Sequence, residues 1–439
     1  LIATRAFMGI GGALIMPATL SIITNVFPDE ERGRAIGVWA GVAGLGGALG
    51  PLTGGFLVEH FYWGSVFLVN VPIVLVGIVA GFVLIPTSKD PTAPKLDPLG
   101  ALLSIGGLVA LLYGLIEAPA EGWTSPTILT AFAVGIVLLG AFGAWELHTD
   151  HPMLDLRFFK NPRFSAASGS ITLVFFAMFG SMFLLTQYLQ FVLAYSPLET
   201  GVRMLPFAAT MMIAAPTSAR ITEKVGTKVI VAAGLGLVTI GLVSMTSLQV
   251  DTSYGGVLVR LMVIALGMAF VMAPATESVM GSLPLAKAGV GSAVNDTTRQ
   301  VGGALGVAVV GSVLSSTYGA KITEFFAGTP APPEAVAAAK GSLGGAIGVA
   351  QGLQAAGGPS AAFADRLLAT ANQAFVDALH TGALVAAVAT FAGVIVALAF
   401  LPARARARDV ALQHDEYAEE HRADLGLPPT DLAPAPAVD

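Results

Sequence analysis

The chain contains eleven apolar runs, each about as long as the hydrocarbon core of a bilayer is thick. A membrane-spanning helix needs about 20 largely apolar residues. Such runs lie at 2–26, 35–57, 65–85, 98–117, 127–146, 165–191, 202–218, 228–248, 256–279, 289–315 and 380–402. Hydrophobic residues make up 55% of the sequence and charged residues 11%, which is too apolar for a soluble domain. Because backbone groups in lipid must be hydrogen-bonded within their own segment, the pattern predicts an all-α polytopic membrane protein.

The Lys and Arg residues fall mainly on one set of alternate connectors. Fifteen of the 22 lie in 27–34, 86–97, 147–164, 219–228, 284–288 and the tail after 402. The connectors 58–64, 118–126, 192–201 and 249–255 contain none. Since positive charge accumulates on the cytoplasmic side of membrane proteins, the first set is predicted to be cytoplasmic, and the C-terminus with it.

The composition excludes several classes of function. The net charge of −6 is spread over tails and loops, so nucleic acid is not expected as a partner. The chain has no cysteine, which excludes disulfides, thiolate metal sites and cysteine nucleophiles. No catalytic soluble domain fits between the runs and no nucleotide-binding loop is present, so neither an enzyme nor an ATP-driven pump is indicated. No cofactor or metal is expected.

The first two runs recur in the ninth and tenth. Each copy begins with an arginine, Arg5 or Arg260, continues with Pro-Ala-Thr and ends with Gly-Gly-Ala-Leu-Gly. The offset is 257 residues for Pro-Ala-Thr and 256 for Gly-Gly-Ala-Leu-Gly, and the two arginines are 255 residues apart. Eight helices separate the copies, and an even number gives both copies the same orientation across the membrane. Parallel repeats of this kind are typical of two-halved secondary transporters, whose substrate site lies between the halves.

Few ionisable groups lie at membrane depth, where each costs about 2.5–3.5 kcal/mol and marks a functional candidate. The candidates for proton coupling are Arg5, Arg260, Glu277, Asp296 and Arg299. Asp296 and Arg299 are three residues apart, so they share a helix face and can pair. A carboxylate that alternates between a proton and a cationic partner is the minimum that exchange requires. A purely structural ion pair, and for Arg260 snorkelling to the lipid headgroups, are the alternatives.

Polar, aromatic and methionine side chains cluster at the end of the sixth run. Such residues can line the adaptable apolar pocket of a binder with many substrates, although packing against lipid is an equal alternative. The candidates for the substrate cavity are Met178, Met182, Gln187, Tyr188, Gln190 and Phe191.

Several motifs carry a resemblance to one family. Gly46, Gly50, Pro51, Gly54 and Gly55 spell GxxxGPxxGG, which resembles the antiporter signature in the fifth helix of major facilitator superfamily drug exporters. Small residues of this kind let membrane helices approach closely. The RxxxG pattern from Arg5, the WGSVF run from residue 63 and the NDTTRQVGGALG run from residue 295 look like the same family's fourth, sixth and thirteenth helices. Over nearly all of 1–402 the chain resembles the fourteen-helix drug:proton antiporter branch, the QacA/EmrB type.

The resemblance implies a domain layout. Residues 1–86 would hold helices four to six of the first bundle, 87–150 an extra central pair with its cytoplasmic linker, and 151–402 a six-helix second bundle. Helices one to three are then expected before Leu1. The long outer loop 316–379 is predicted to end in an amphipathic helix on the membrane surface, and 403–439 to form a disordered cytoplasmic tail. The second copy of the family's cytoplasmic loop motif is recognisable in Arg220, Glu223, Gly226 and Lys228.

The expected function is proton-coupled export of hydrophobic, often cationic, small molecules by alternating access. The expected partners are the substrate, protons and the lipid bilayer of a bacterial cell membrane, with the protein as a monomer. A facilitator-fold carrier for a metabolite or siderophore is the nearest alternative. A membrane scaffold or sensor without transport is a further one.

Overall fold

The computed structural model describes residues 2–85, 97–149, 152–283 and 287–402, and within them the chain is helical throughout, without a strand. The helices of the first half are α1 (Ile2–Val26), α2 (Asp29–His60), α3 (Ser65–Leu68) and α4 (Asn70–Leu84), followed by α5 (Pro98–Glu121) and α6 (Pro126–Glu146). The second half contains α7 (Pro162–Gln187), α8 (Pro197–Val225), α9 (Thr227–Met245), α10 (Tyr254–Met280), α11 (Ala288–Phe326), α12 (Pro333–Gly341), α13 (Leu343–Ala356) and α14 (Pro359–Phe400).

Each of the eleven predicted runs overlaps a helix, with 65–85 divided between α3 and α4, and the helix ends follow from local sequence. Asp97, Ser125, Asn161 and Ser196 precede a proline and accept a hydrogen bond from the first turn of α5, α6, α7 and α8. Gly226 ends α8 at a φ of 88°, which a side chain would oppose. The all-α prediction is confirmed.

Eight helical segments in the described part of the chain are long and apolar enough to cross a membrane. Of the predicted spans, α1, α2 and α8 are not among the eight. Helices α2 and α8 pack against each other along their length, with Gly37 and Gly41 of α2 against the backbone of α8. Small and polar residues replace large apolar ones there because the two helices face each other rather than lipid.

The six helices α7, α8, α9, α10, α11 and α14 form one bundle that carries most of the buried core. Helix α2 joins it through α8 and α10, and α1 through α11. Helices α5 and α6 form a hairpin that leans on α11, where Trp123 Nε1 donates to Ser312 Oγ at 2.7 Å. None of the residues of α4 is buried among the described residues. The second half thus forms a closed helical bundle, and α1 and α2 of the first half pack against its surface.

The region 316–379 differs from the predicted loop. Helices α11 and α14 contain 39 and 42 residues, or about 58 and 63 Å at 1.5 Å per residue, roughly twice the hydrocarbon thickness. Their ends project together and are joined by a Lys321–Asp377 ion pair. The apolar face predicted for the amphipathic helix is confirmed, since Leu367, Ala371 and Phe375 are buried. This helix continues into the last span and packs against α13, and its placement on the membrane surface stays a prediction.

The tail 403–439 and the linker 86–96 lie outside the described residues, so the predictions made for them stay predictions.

Candidate functional site

Arg299 lies where the two halves meet. It projects from α11, with its side chain only 8% exposed. Its guanidinium carbon lies 4.6 Å from the ring centroid of Trp39 on α2 and 5.3 Å from that of Phe175 on α7. Its Nη2 donates to Thr276 Oγ1 on α10 at 3.2 Å. One buried cation therefore connects a helix of the first half with three helices of the second.

Thr276 links Arg299 to a second polar side chain. Its hydroxyl accepts from Arg299 and donates to Asn295 Oδ1 at 3.3 Å. Asn295 is fully buried, and in the part of the chain that the structure describes its amide Nδ2 has no hydrogen-bond partner. Thr276 is the threonine of the repeated Pro-Ala-Thr step, so this part of the repeat forms a polar contact inside the bundle.

Asp296 lies one turn before Arg299, but the predicted ion pair is not formed. The structure gives no contact of 4.0 Å or less between their charged atoms, although Arg299 is the charged neighbour that acts on Asp296. Asp296 Oδ2 and Arg299 Nε are both buried without a hydrogen-bond partner among the described residues. Unsatisfied buried polar groups of this kind are costly, and strain or a functional role is the usual explanation.

Glu277 belongs to a separate cluster at the predicted cytoplasmic end of the helices. Its carboxylate lies against Gly33 of α2, where a Cβ would come within 2.9 Å of Oε2. Arg163, Glu223 and Arg32 are its charged neighbours. The cluster brings one residue of the loop motif, Glu223, to the contact between α2, α7, α8 and α10. It therefore holds the halves together at one end rather than lining the Arg299 site.

The other residues of the loop motif lie on or beside the turn between α8 and α9. Gly226 forms this turn, Arg220 is exposed and Lys228 is half-buried. No contact in the described residues assigns Arg220 or Lys228 a role.

Arg260 is held by the C-terminal end of α9, which is the predicted outer end. Its guanidinium donates to Ser244 O at 2.8 Å, Gly256 O at 2.6 Å and Ser247 Oγ at 2.7 Å. Binding the last carbonyls of a helix is the usual use of a cation at a C-terminus. These contacts favour a structural role over proton relay. The side chain of Arg5, its counterpart in the repeat, lies outside the described residues.

The residues predicted to line a cavity are not brought together. Tyr188 is fully buried, and its hydroxyl donates to Gln249 O at 2.6 Å. Gln187 bonds to the carbonyl of Phe183 in its own helix, and Phe191 lies against Gly344 of α13. A π-helical turn at 188–192 follows α7 and contains Tyr188, Gln190 and Phe191. Met178, Met182 and Gln190 are half-buried, and both methionines pack against the core.

The glycines of the two copies differ in how closely other helices approach them. In the second copy, a Cβ on Gly302 or Gly306 would collide with the carbonyl oxygens of Thr172 and Phe176 on α7. In the first copy, Gly55 approaches Pro197 of α8 in the same way. The described residues put nothing within 4 Å of a Cβ on Gly46, Gly50 or Gly54. The side chain of Pro51 lies outside the described residues.

Sequence reasoning missed Trp39, Phe175 and Thr276. A single tryptophan in a run otherwise rich in Gly, Ala and Val was the available signal for Trp39. Phe175 is one of many phenylalanines in its helix and offered none. Thr276 was noticed as part of a repeat but not as a contact of Arg299.

Comparisons with known proteins identify the class. A model of the Major Facilitator Superfamily matches residues 1–307. The multidrug efflux pump LfrA of Mycolicibacterium smegmatis is 34% identical, with 91% of this chain and 78% of LfrA covered. The tetracenomycin C resistance and export protein of Streptomyces glaucescens is 34% identical over 73% of this chain and 60% of its own length. The methyl viologen resistance protein SmvA of Salmonella typhimurium is 34% identical, with 80% of this chain and 71% of SmvA covered.

The chain belongs to the Major Facilitator Superfamily. It is a multi-pass membrane transporter acting on small molecules, not an enzyme. It spans about 60% of the length of several curated relatives.

Proposed function

We propose that the protein exports hydrophobic and cationic small molecules in exchange for protons, by alternating access between its two halves. The observation that carries the proposal is the buried and incompletely satisfied Asp296–Arg299 site at the contact between α2 and the second bundle. A proton can neutralise Asp296, and a cation can compete with Arg299 for its surroundings. Both events would change the electrostatics of the contact between the halves, which is what coupling requires.

The relatives support the kind of cargo. Their names refer to multidrug efflux, to an antibiotic and to methyl viologen, which is an organic dication. A carrier for a single metabolite or siderophore remains the second candidate, since it would share the fold but not the cargo. Membership of the fourteen-helix branch, with α5 and α6 as its central pair and three helices before residue 1, stays a prediction. So does the monomeric state.

Transport in everted membrane vesicles containing the intact protein tests the function. With the interior acidified, we expect accumulation of ethidium, a lipophilic cation, at least about ten times above vesicles without the protein. Collapse of both the pH gradient and the membrane potential with the protonophore CCCP should abolish the accumulation, because a proton-coupled secondary transporter has no other source of energy. Accumulation that survives CCCP would refute proton coupling. A lack of accumulation with a panel of cationic and neutral drugs would favour the metabolite carrier.

Single cysteines test the orientation, since the chain has none of its own. We expect Lys224→Cys to react with a membrane-impermeant maleimide only from the cytoplasmic side, and Trp123→Cys only from the outer side. Positive charge on the first connector and its absence from the second are the physical reason. Reaction of both from one side would overturn the topology and the two-bundle transporter with it.

A further inference from the structure

The guanidinium of Arg299 occupies an aromatic site rather than an anionic one. Two ring faces, from Trp39 on α2 and Phe175 on α7, lie within 5.3 Å of its central carbon. Only one of its five N–H donors has a hydrogen-bond acceptor in the described residues, the hydroxyl of Thr276. Cations are attracted to aromatic faces, and more strongly where water is excluded. The rings thus form a cation site that a residue of the protein itself fills.

From this geometry we infer that Trp39 and Phe175 form the subsite for the cationic centre of the substrate, and that Arg299 fills the subsite while Asp296 is protonated. The inference rests on the proposed function and names its specificity-determining residues. When Asp296 loses its proton, its carboxylate attracts Arg299, which lies one turn away on the same helix face. The guanidinium then leaves the rings, and a cationic substrate can take its place.

Arg299 is the charged side chain that a change in the protonation of Asp296 would affect. Among the described residues, Arg299 is the charged group that acts electrostatically on this carboxylate. Glu277 on α10 is engaged with Arg163, Glu223 and Arg32. The remaining charged or histidine groups on helices packed against α11 lie elsewhere, on α5 (Glu117, Glu121), α10 (Arg260), α12 (Glu334, Lys340) and α14 (Asp365, Arg366, Asp377, His380).

The arrangement makes the proton and the cation mutually exclusive. Protonation of Asp296 returns Arg299 to Trp39 and Phe175, which expels the bound cation. Loss of the proton frees the rings and lets a cation enter. Exchange of one for the other is the order of events that a proton-driven exporter needs, and it requires no direct contact between substrate and Asp296.

Binding of tetraphenylphosphonium to the purified intact protein, measured by equilibrium dialysis at pH 6 and pH 8, tests the inference. For the wild type we expect weaker binding at pH 6. Arg299→Gln should bind about ten-fold more tightly than the wild type at pH 6, because the rings stay free. Trp39→Leu should bind about ten-fold more weakly at pH 8, and Trp39→Phe close to the wild type, because it keeps an aromatic face.

Trp63→Leu is the matched control, since Trp63 is exposed on the loop after α2, and it should bind as the wild type does. Gel filtration establishes that each variant is folded, and the Trp39 pair decides the question if Arg299→Gln does not fold. Binding by Arg299→Gln at pH 6 that is unchanged or weaker would overturn the inference. So would Trp39→Leu binding as tightly as Trp63→Leu, or no binding by the wild type.

The vesicle assay separates this inference from the proposed function. Suppose that wild-type vesicles export the cation while Arg299→Gln and Trp39→Leu bind it as the wild type does. The proposed export function is then supported, and the inference that Arg299 displaces the cation is refuted. If wild-type vesicles export nothing, the proposed export function is refuted. The dialysis result still decides whether Arg299 competes with a cation for the rings of Trp39 and Phe175.

Discussion

Asp296→Asn is expected to abolish proton-driven export while leaving the amount of folded protein unchanged. Asparagine keeps the size of the side chain but can neither release nor accept the proton. Because the described residues offer Asp296 Oδ2 no hydrogen-bond partner, the substitution removes no hydrogen bond of this oxygen. Initial rates of drug accumulation in everted vesicles, corrected for protein amount, should fall to the level of vesicles without the protein. Binding of a cationic drug should stay as weak as it is in the wild type at pH 6, since a neutral side chain at position 296 leaves Arg299 on the rings.

Asp251→Asn is the control for this variant. Asp251 is an exposed carboxylate in the loop between α9 and α10, and its replacement should leave the rate unchanged. An unaffected rate for Asp296→Asn would remove Asp296 from the coupling mechanism. In that case Glu277 would be the next carboxylate to test, because it also lies at a contact between α2 and the second bundle.

Gly306→Ala is expected to destabilise the second bundle by about 3 kcal/mol or more. The added methyl would fall on the carbonyl oxygen of Phe176, so α7 and α11 must move apart. A rigid backbone cannot yield in the way that the end of a flexible side chain can. The expected result is a lower Tm in detergent and little folded protein after gel filtration. Gly302→Ala, against Thr172 O, should behave in the same way.

Gly289→Ala supplies the matched control on the same helix. No described atom lies within 4 Å of a Cβ at Gly289, and alanine is the better helix former. Its Tm should equal or exceed that of the wild type. Equal stability for Gly306→Ala and Gly289→Ala would contradict the close packing of α7 on α11.

Several features of the site could be predicted from the sequence. Asp296 and Arg299 were identified because ionisable residues inside an apolar run are rare and costly. The Pro-Ala-Thr and Gly-Gly-Ala-Leu-Gly repeats pointed to the two helices, α10 and α11, that carry Thr276 and Arg299. The partners of Arg299 could not be found in this way. Trp39 lies 260 residues before Arg299, and no local rule relates the two positions.

Tyr188 and Arg260 show how ambiguous such a sequence signal is. Both have the composition expected at a transport site, a polar group near the end of an apolar run. In the structure both donate to backbone carbonyls, those of Gln249 in the loop after α9 and Ser244 in its last turn, and a role of either in transport stays a prediction. A hydroxyl or guanidinium that fastens a loop has the same sequence signature as one that binds a substrate, because both need a polar atom at the edge of the membrane.

The sequence by itself determined the all-helical architecture, the approximate position of the eleven predicted runs and the repeated motifs. These depend on apolar length, capping residues and local similarity, all of which act over about 20 residues at a time. Tertiary structure alone decided that α2 faces α8 and that Arg299 rests on Trp39 and Phe175 instead of pairing with Asp296. It also decided that α11 and α14 continue beyond the predicted spans as a packed helical extension. These outcomes depend on which helix faces meet, and that is set by close packing between residues far apart in the chain.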